Sequence, residues 1–149
     1  VCIWVVVKDK RYFKKMHPQL IGRWDQVAAM LGLTWVVPID HVREKRLPPA
    51  LTGKLRGKEV YVALQDESDD ESLRARWDLV VHVGLGKTLV PRKERRPILK
   101  ALKRRRGEAL VKKRQLVVHR PGLHCTADEI VAVVQDCMAG ANRLDAGRS

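Results

Sequence analysis

The longest apolar runs of the chain have the length of β-strands and show no alternation with polar residues. Ile3 to Val7 is solidly apolar, Leu79 to Val83 is apolar except for His82, and both are rich in β-branched side chains. Such runs are typical of strands covered on both faces, as in a parallel sheet. Both are far shorter than the roughly 20 apolar residues that a membrane-spanning helix needs. The pattern predicts a buried sheet and no membrane span.

Helices are predicted between the strands. Pro18 occupies the first position of a helix with apolar residues at helical spacing, and Gly32 ends it. Thr126 and Glu129 form a capping box that begins the last helix. This alternation predicts an α/β three-layer sandwich with a mainly parallel, Rossmann-like sheet. The further strands are predicted at Thr34 to Ile39, Val60 to Leu64, Trp77 to Val83 and Gln115 to His119.

Length and composition favour one domain. With 149 residues and 45% apolar content, the chain can bury a core without disulfides or metal. Its cysteines are Cys2, Cys125 and Cys137, an odd number without a signal peptide, so we expect reduced thiols and a cytoplasmic location. Because the chain begins with Val1 rather than Met and strand-like residues follow at once, residues 1–149 are predicted to be a single α/β domain cut from a longer chain.

Positive charge is concentrated in residues 92–114. Twelve Lys and Arg residues there face only Glu94 and Glu108, which gives this stretch a charge of +10 out of the net +13 of the chain. Such a density of like charge attracts polyanions, namely nucleic acid, acidic membrane or a phosphorylated small molecule. The stretch has no aromatic side chain on which bases could stack. We predict a basic helical segment, with Arg104, Arg105 and Arg106 as polyanion-binding residues.

A second basic cluster follows the first predicted strand. Lys8, Lys10 and Arg11 would lie between the carboxyl end of a strand and a helix N-terminus. Open α/β sheets bind ligands at this position, and the helix dipole favours anions there. An exposed basic loop without a ligand explains the same residues equally well.

Residues Gly84 to Thr88 resemble the end of a phosphate-binding P-loop. The first glycine of that motif would fall on Val81, inside the strand, and Pro91 crowds the start of a following helix. A turn at the end of the strand, in which Lys87 contacts an anion, therefore fits better than a P-loop.

The residues that could bind metal have no metal-binding pattern. His119, His124, Cys125 and Cys137 fit no zinc spacing, and Cys137 falls on the apolar stripe of the last helix. We therefore expect them to serve packing. A single sequence does not bring separated Ser, His and Asp side chains together, so no catalytic residue and no metal ligand is predicted.

Several blocks, taken in order, resemble the N-terminal domain of the inositol-tetrakisphosphate 1-kinase family, which precedes an ATP-grasp part. Lys8 to Leu20 match a lysine-rich run and a Pro-containing helix, and Val36 to Asp40 a strand that ends in Asp. Trp77 to His82 match an aromatic residue, Asp, three apolar residues and His. Leu116 to Met138 match a strand that leads to Pro and a helix. These blocks cover about half of the chain.

The resemblance implies a pre-ATP-grasp domain of an inositol phosphate kinase, a transferase that moves phosphate from ATP to a phosphorylated inositol. ATP and Mg²⁺ would be held mainly by a domain outside this chain. The substrate-contacting lysine of the family would fall on Lys8 or Lys10, whereas Asp136 and Cys137 stand where an ATP-contacting arginine is expected. The predicted substrate-binding residues are Lys8, Lys10, Arg11 and Lys87.

The alternative interpretation is a non-enzymatic RNA- or ribosome-associated basic α/β domain, in which residues 92–114 lie along phosphates. An ATP-dependent enzyme that uses the Gly84 to Thr88 turn ranks third.

Overall fold

The computed structural model describes residues 4–6, 11, 18–38, 50–66, 77–120 and 126–146. These residues form three helices and one sheet of seven strands. The helices are α1 (Pro18–Leu31), α2 (Arg92–Arg106) and α3 (Ala127–Leu144). The strands are β1 (Trp4–Val6), β2 (Thr34–Pro38), β3 (Ala50–Leu55), β4 (Lys58–Asp66), β5 (Trp77–Gly84), β6 (Glu108–Lys112) and β7 (Gln115–Arg120).

All strand pairings among the described residues are antiparallel, in the order β1-β2-β3-β4-β5-β7-β6. The prediction of a mainly parallel, Rossmann-like three-layer sandwich is therefore wrong. The apolar run in β5 does mark burial on both faces, because Val80 and Val81 are 6% and 0% exposed and point to opposite faces. However, β5 is an inner antiparallel strand between β4 and β7. A continuous apolar run therefore indicates burial on both faces, but it does not indicate whether a strand pairs with its neighbours in a parallel or an antiparallel way.

Two strands were not predicted from the sequence: β3 lies between the predicted strands Thr34 to Ile39 and Val60 to Leu64, and β6 lies in the segment predicted to be helical. In β3, a Cβ on Gly53 would lie 2.9 Å from Leu33 Cδ2, so glycine permits this close approach. Within residues 92–114, α2 begins at Arg92, ahead of Pro97, and ends at Arg106, after which the chain turns back as β6. The basic segment is thus a helix followed by one arm of a hairpin.

The three described helices pack on one face of the sheet. Helix α3 lies between α1 and α2 and contacts both. Against the sheet, α1 contacts β3, α3 contacts β5 and β7, and α2 contacts β6 and β7. Thr126 caps α3 as predicted, since its hydroxyl accepts the Glu129 N–H at 3.2 Å. The core between the layers includes Trp24, Val27, Leu51, Val62, Val81, Ile98, Leu102, Leu116, Val134 and Cys137.

Two-residue turns close the β3–β4 and β6–β7 hairpins. Arg56 and Gly57 have φ angles of 51° and 80°, and Lys113 and Arg114 have φ angles of 49° and 60°. Positive φ at both central residues defines a type I′ turn, which suits the twist of the strands and favours Asn-Gly. The β6–β7 turn instead carries a Cβ at both positions, which costs about 1 kcal/mol for each residue.

We predict that Lys113→Asn/Arg114→Gly raises the free energy of unfolding by about 1 kcal/mol, because the new residues adopt positive φ with less strain. Urea denaturation at neutral pH measures the change. Lys112→Asn is the control, since it removes a neighbouring charge but leaves the turn intact. Unchanged or reduced stability in the double variant would contradict the prediction.

Candidate polyanion-binding surface

Helix α2 presents cations to solvent because its apolar stripe is narrow and buried. Ile98 and Leu102 are each 6% exposed and belong to the core. A Cβ on Gly140 of α3 would lie 2.7 Å from Leu102 Cδ1, so the glycine lets the two helices pack closely. The exposed cations that the structure describes on α2 are Arg92, Lys93, Arg96, Lys100, Lys103 and Arg104.

These cations have little local neutralisation. None of these six exposed cations forms a salt bridge with a carboxylate among the described residues. Arg95, which is partly buried, donates through Nε to the Val90 carbonyl oxygen at 2.8 Å and so fixes the start of the helix. The exposed face of α2 is therefore available to an external anion.

A second group of cations lies at the β6–β7 turn. Lys112, Lys113 and Arg114, which we call the basic tip, are all exposed. The carbonyl oxygen of Arg114 accepts the Leu85 N–H at 2.8 Å, so the segment that follows β5, with exposed Lys87, lies beside the tip. The tip and α2 thus carry two separate sets of cations.

The turn from Gly84 to Thr88 is occupied by a carboxylate of the protein itself. The Gly86 N–H donates to Asp145 Oδ1 at 2.7 Å, and the Lys58 ammonium forms a salt bridge with Asp145 Oδ2. A P-loop would offer such an amide to phosphate, but here the amide already has an anionic partner. The geometry is that of a turn at the end of a strand, with Lys87 directed to solvent rather than into the turn's network.

The other predicted substrate-binding residues do not form a described cluster. Lys8 and Lys10 lie outside the described residues, and Arg11 is exposed. The strand that precedes them, β1, is four strands from β5, a separation of about 19 Å. Among the predicted polyanion-binding residues, Arg104 is exposed on α2, whereas Arg105 and Arg106 have described helical backbones only.

The sheet face opposite the helices carries a polar network that sequence reasoning missed. His119 Nε2 lies 2.8 Å from Asp78 Oδ2, and Asp78 is 3% exposed. His82 Nδ1 lies 3.2 Å from Gln115 Oε1, and the Tyr61 ring contacts the His82 ring edge-on at 5.3 Å. No group of three or more metal ligands occurs among the described residues. The network spans three strands, so strand register was needed to find it.

Burial lowers the pKa of the His82 imidazole, and the hydrogen bond with Gln115 opposes this shift in part. The charged imidazolium is less well solvated within the fold than in the unfolded chain, where the pKa is about 6.5. At mildly acidic pH the unfolded chain therefore binds more protons at this residue than the folded protein does.

Two grooves lined by described residues flank α3, and neither concentrates positive charge. The larger, about 520 Å³, lies between α1 and α3, and Arg56 is the one charged residue among its described lining residues. The smaller, about 260 Å³, lies between α2 and α3, where Arg143 is accompanied by Asp136. The described cations are thus spread over an open surface.

No protein-family model matches this chain, and no curated protein or solved structure matches it either. Among the described residues, no helix is both long enough and apolar enough to cross a membrane.

We predict that Asp145→Ala lowers the free energy of unfolding by about 1 kcal/mol, because the Gly86 N–H and the Lys58 ammonium lose a shared partner. Thermal and urea denaturation measure the loss. Asp145→Asn is the control, because its amide oxygen still accepts from Gly86 and the loss should be smaller. Equal stability of Asp145→Ala and wild type would argue against a stabilising role.

We also predict that stability falls as the pH drops below about 6.5, and that His82→Gln makes this fall shallower. The lowered folded pKa of His82 gives a stabilisation that is complete above the unfolded pKa and is lost as the pH falls through the folded pKa. Urea denaturation of both proteins between about pH 5 and 7.5 isolates the effect, because His119 and Asp78 are common to both. Parallel pH profiles would disprove it.

Proposed function

We propose that this protein is a non-enzymatic RNA-binding domain that holds the phosphate backbone through α2 without reading bases. The observation that carries the proposal is the division of α2 into two sides. Its apolar stripe is buried, and its six exposed cations form no salt bridge with a carboxylate among the described residues. Bound phosphates would relieve the repulsion between these cations.

The dimensions of α2 suit an extended polyanion. Its 15 residues span about 22 Å. Arg96, Lys100 and Lys103 follow one another at spacings of four and three residues, so they lie on one side of the helix. A rod of this length can reach several phosphates of a nucleic-acid backbone. Because α2 contains no aromatic residue, the contact is expected to be independent of sequence.

A lipid surface fits less well. A helix that binds in the interface of a membrane needs an exposed apolar face, but that of α2 lies against α3. The exposed large apolar residues among the described ones are Val6, Met30 and Leu110, which belong to three different elements. They form no apolar stripe beside the cations of α2.

A compact phosphorylated ligand also fits less well, because neither groove beside α3 gathers several cations. The antiparallel sheet removes the parallel-sheet edge at which Lys8 and Lys10 were expected to bind an anion. Membership of the inositol-tetrakisphosphate 1-kinase family, with ATP, Mg²⁺ and kinase activity, stays a prediction. A cytoplasmic location stays a prediction as well.

We predict that wild type binds duplex RNA with an affinity that falls steeply with salt, and that Arg96→Ala/Lys100→Ala/Lys103→Ala flattens the log–log slope by up to about three units. Alanine preserves the helix, so the loss reports charge. Fluorescence anisotropy from about 0.05 to 0.2 M salt measures both slopes.

Arg96→Lys/Lys100→Arg/Lys103→Arg is the matched control, because it keeps every charge and should keep the salt slope. An unchanged slope in the alanine variant would sink the proposal. Stoichiometric binding of inositol hexakisphosphate that is indifferent to the α2 substitutions would favour the phosphorylated-inositol interpretation instead.

A further inference from the structure

The two central residues of the β6–β7 turn are not of the types that its backbone conformation favours. Lys113 and Arg114 have φ angles of 49° and 60°, where Asn and Gly are the favoured residues. The β3–β4 turn of the same sheet has glycine at its second position, Gly57, with φ of 80°. Strained non-glycine residues concentrate at functional sites. The comparison within one molecule shows that the fold can use glycine, yet the β6–β7 turn carries two long cations.

The strained turn is also firmly held. Gln115 pairs with Gly84 and with Lys112 in the sheet, and the Arg114 carbonyl oxygen accepts the Leu85 N–H at 2.8 Å. These backbone contacts fix the tip, while the Lys113 and Arg114 side chains stay exposed. A cationic side chain on a fixed backbone loses less entropy on binding than one on a mobile loop.

The chain path places the tip at a defined position relative to α2. Helix α2 ends at Arg106, and Gly107 reverses the chain into β6 with φ of 117°, where a Cβ would lie 2.4 Å from the His119 carbonyl oxygen. Strand β6 contacts α2 and leads to the tip. The cations of α2 and of the tip are therefore separate groups joined by one rigid strand.

We propose that the basic tip is a second phosphate contact of the RNA site, and that the two contacts together select double-stranded over single-stranded RNA. The inference rests on the proposed function and deepens it. In a duplex, two phosphate backbones run at a fixed separation, so α2 and the tip can each engage one of them. A single strand has no second backbone to offer to the tip. Recognition of double-stranded RNA by shape and phosphate contacts needs no base reading.

The test is Lys113→Asn/Arg114→Gly, which relieves the strain and removes both charges. The probes are a random-sequence duplex RNA of about 16 base pairs and one of its strands alone. We expect the thermal midpoint of the variant to rise and its log–log salt slope for duplex to fall by about two units. Its slope for the single strand should be unchanged.

Arg56→Asn is the matched control, because it gives the other hairpin an Asn-Gly turn and also removes a cation. Its turn lies three strand spacings away, about 14 Å, so it should gain stability with its duplex slope unchanged. A tip variant that binds duplex as tightly as wild type would overturn the inference. Equal losses for duplex and single strand would also overturn it. The α2 alanine variant tests the proposed function separately. If that variant loses salt dependence and the tip variant does not, only the inference about the tip fails. If neither variant changes the salt slope, the proposed function fails as well.

Discussion

The close packing of α2 on α3 determines what the charged segment can do. Leu102 fits against α3 because Gly140 leaves room for it, and Ile98 is buried in the same core. Because this apolar stripe is buried in the core, the Lys and Arg residues on the other sides of α2 face solvent. Their mutual repulsion is tolerated because apolar contacts hold the helix to α3 and to β6 and β7. The fold thus keeps a region of high positive potential on a rigid support.

Much of the local structure could be predicted from the sequence, but the strand directions could not. The capping box at Thr126, and the strands that became β2, β4, β5 and β7, were found from local patterns. Strand β3 was missed because Gly53 and the prolines ahead of it resemble a loop, although the glycine serves a close approach to Leu33. The β6–β7 turn was missed because Lys113 and Arg114 carry no turn signal. Without these two hairpins, a parallel sheet was the simpler interpretation.

The candidate polyanion-binding surface was likewise predictable from the sequence only in part. The excess of charge in residues 92–114 is a property of composition, so the sequence revealed it directly. Its separation into a helix face and a hairpin tip depends on tertiary structure. The same holds for the Gly84 to Thr88 turn, since only the fold brings Asp145 to the Gly86 amide. A local phosphate-binding pattern cannot show that a distant carboxylate already occupies it.

The bond between Lys58 and Asp145 joins residues that are 87 positions apart in the chain. The hairpins β3–β4 and β6–β7 close over a few residues and can form early, whereas this contact must wait until α3 exists. During synthesis, Lys58 and the Gly86 amide therefore stay without this partner until the end of α3 has emerged. The carboxylate of Asp145 is thus a late contact, which links β4 and the turn after β5 to the end of the last helix once that helix has formed.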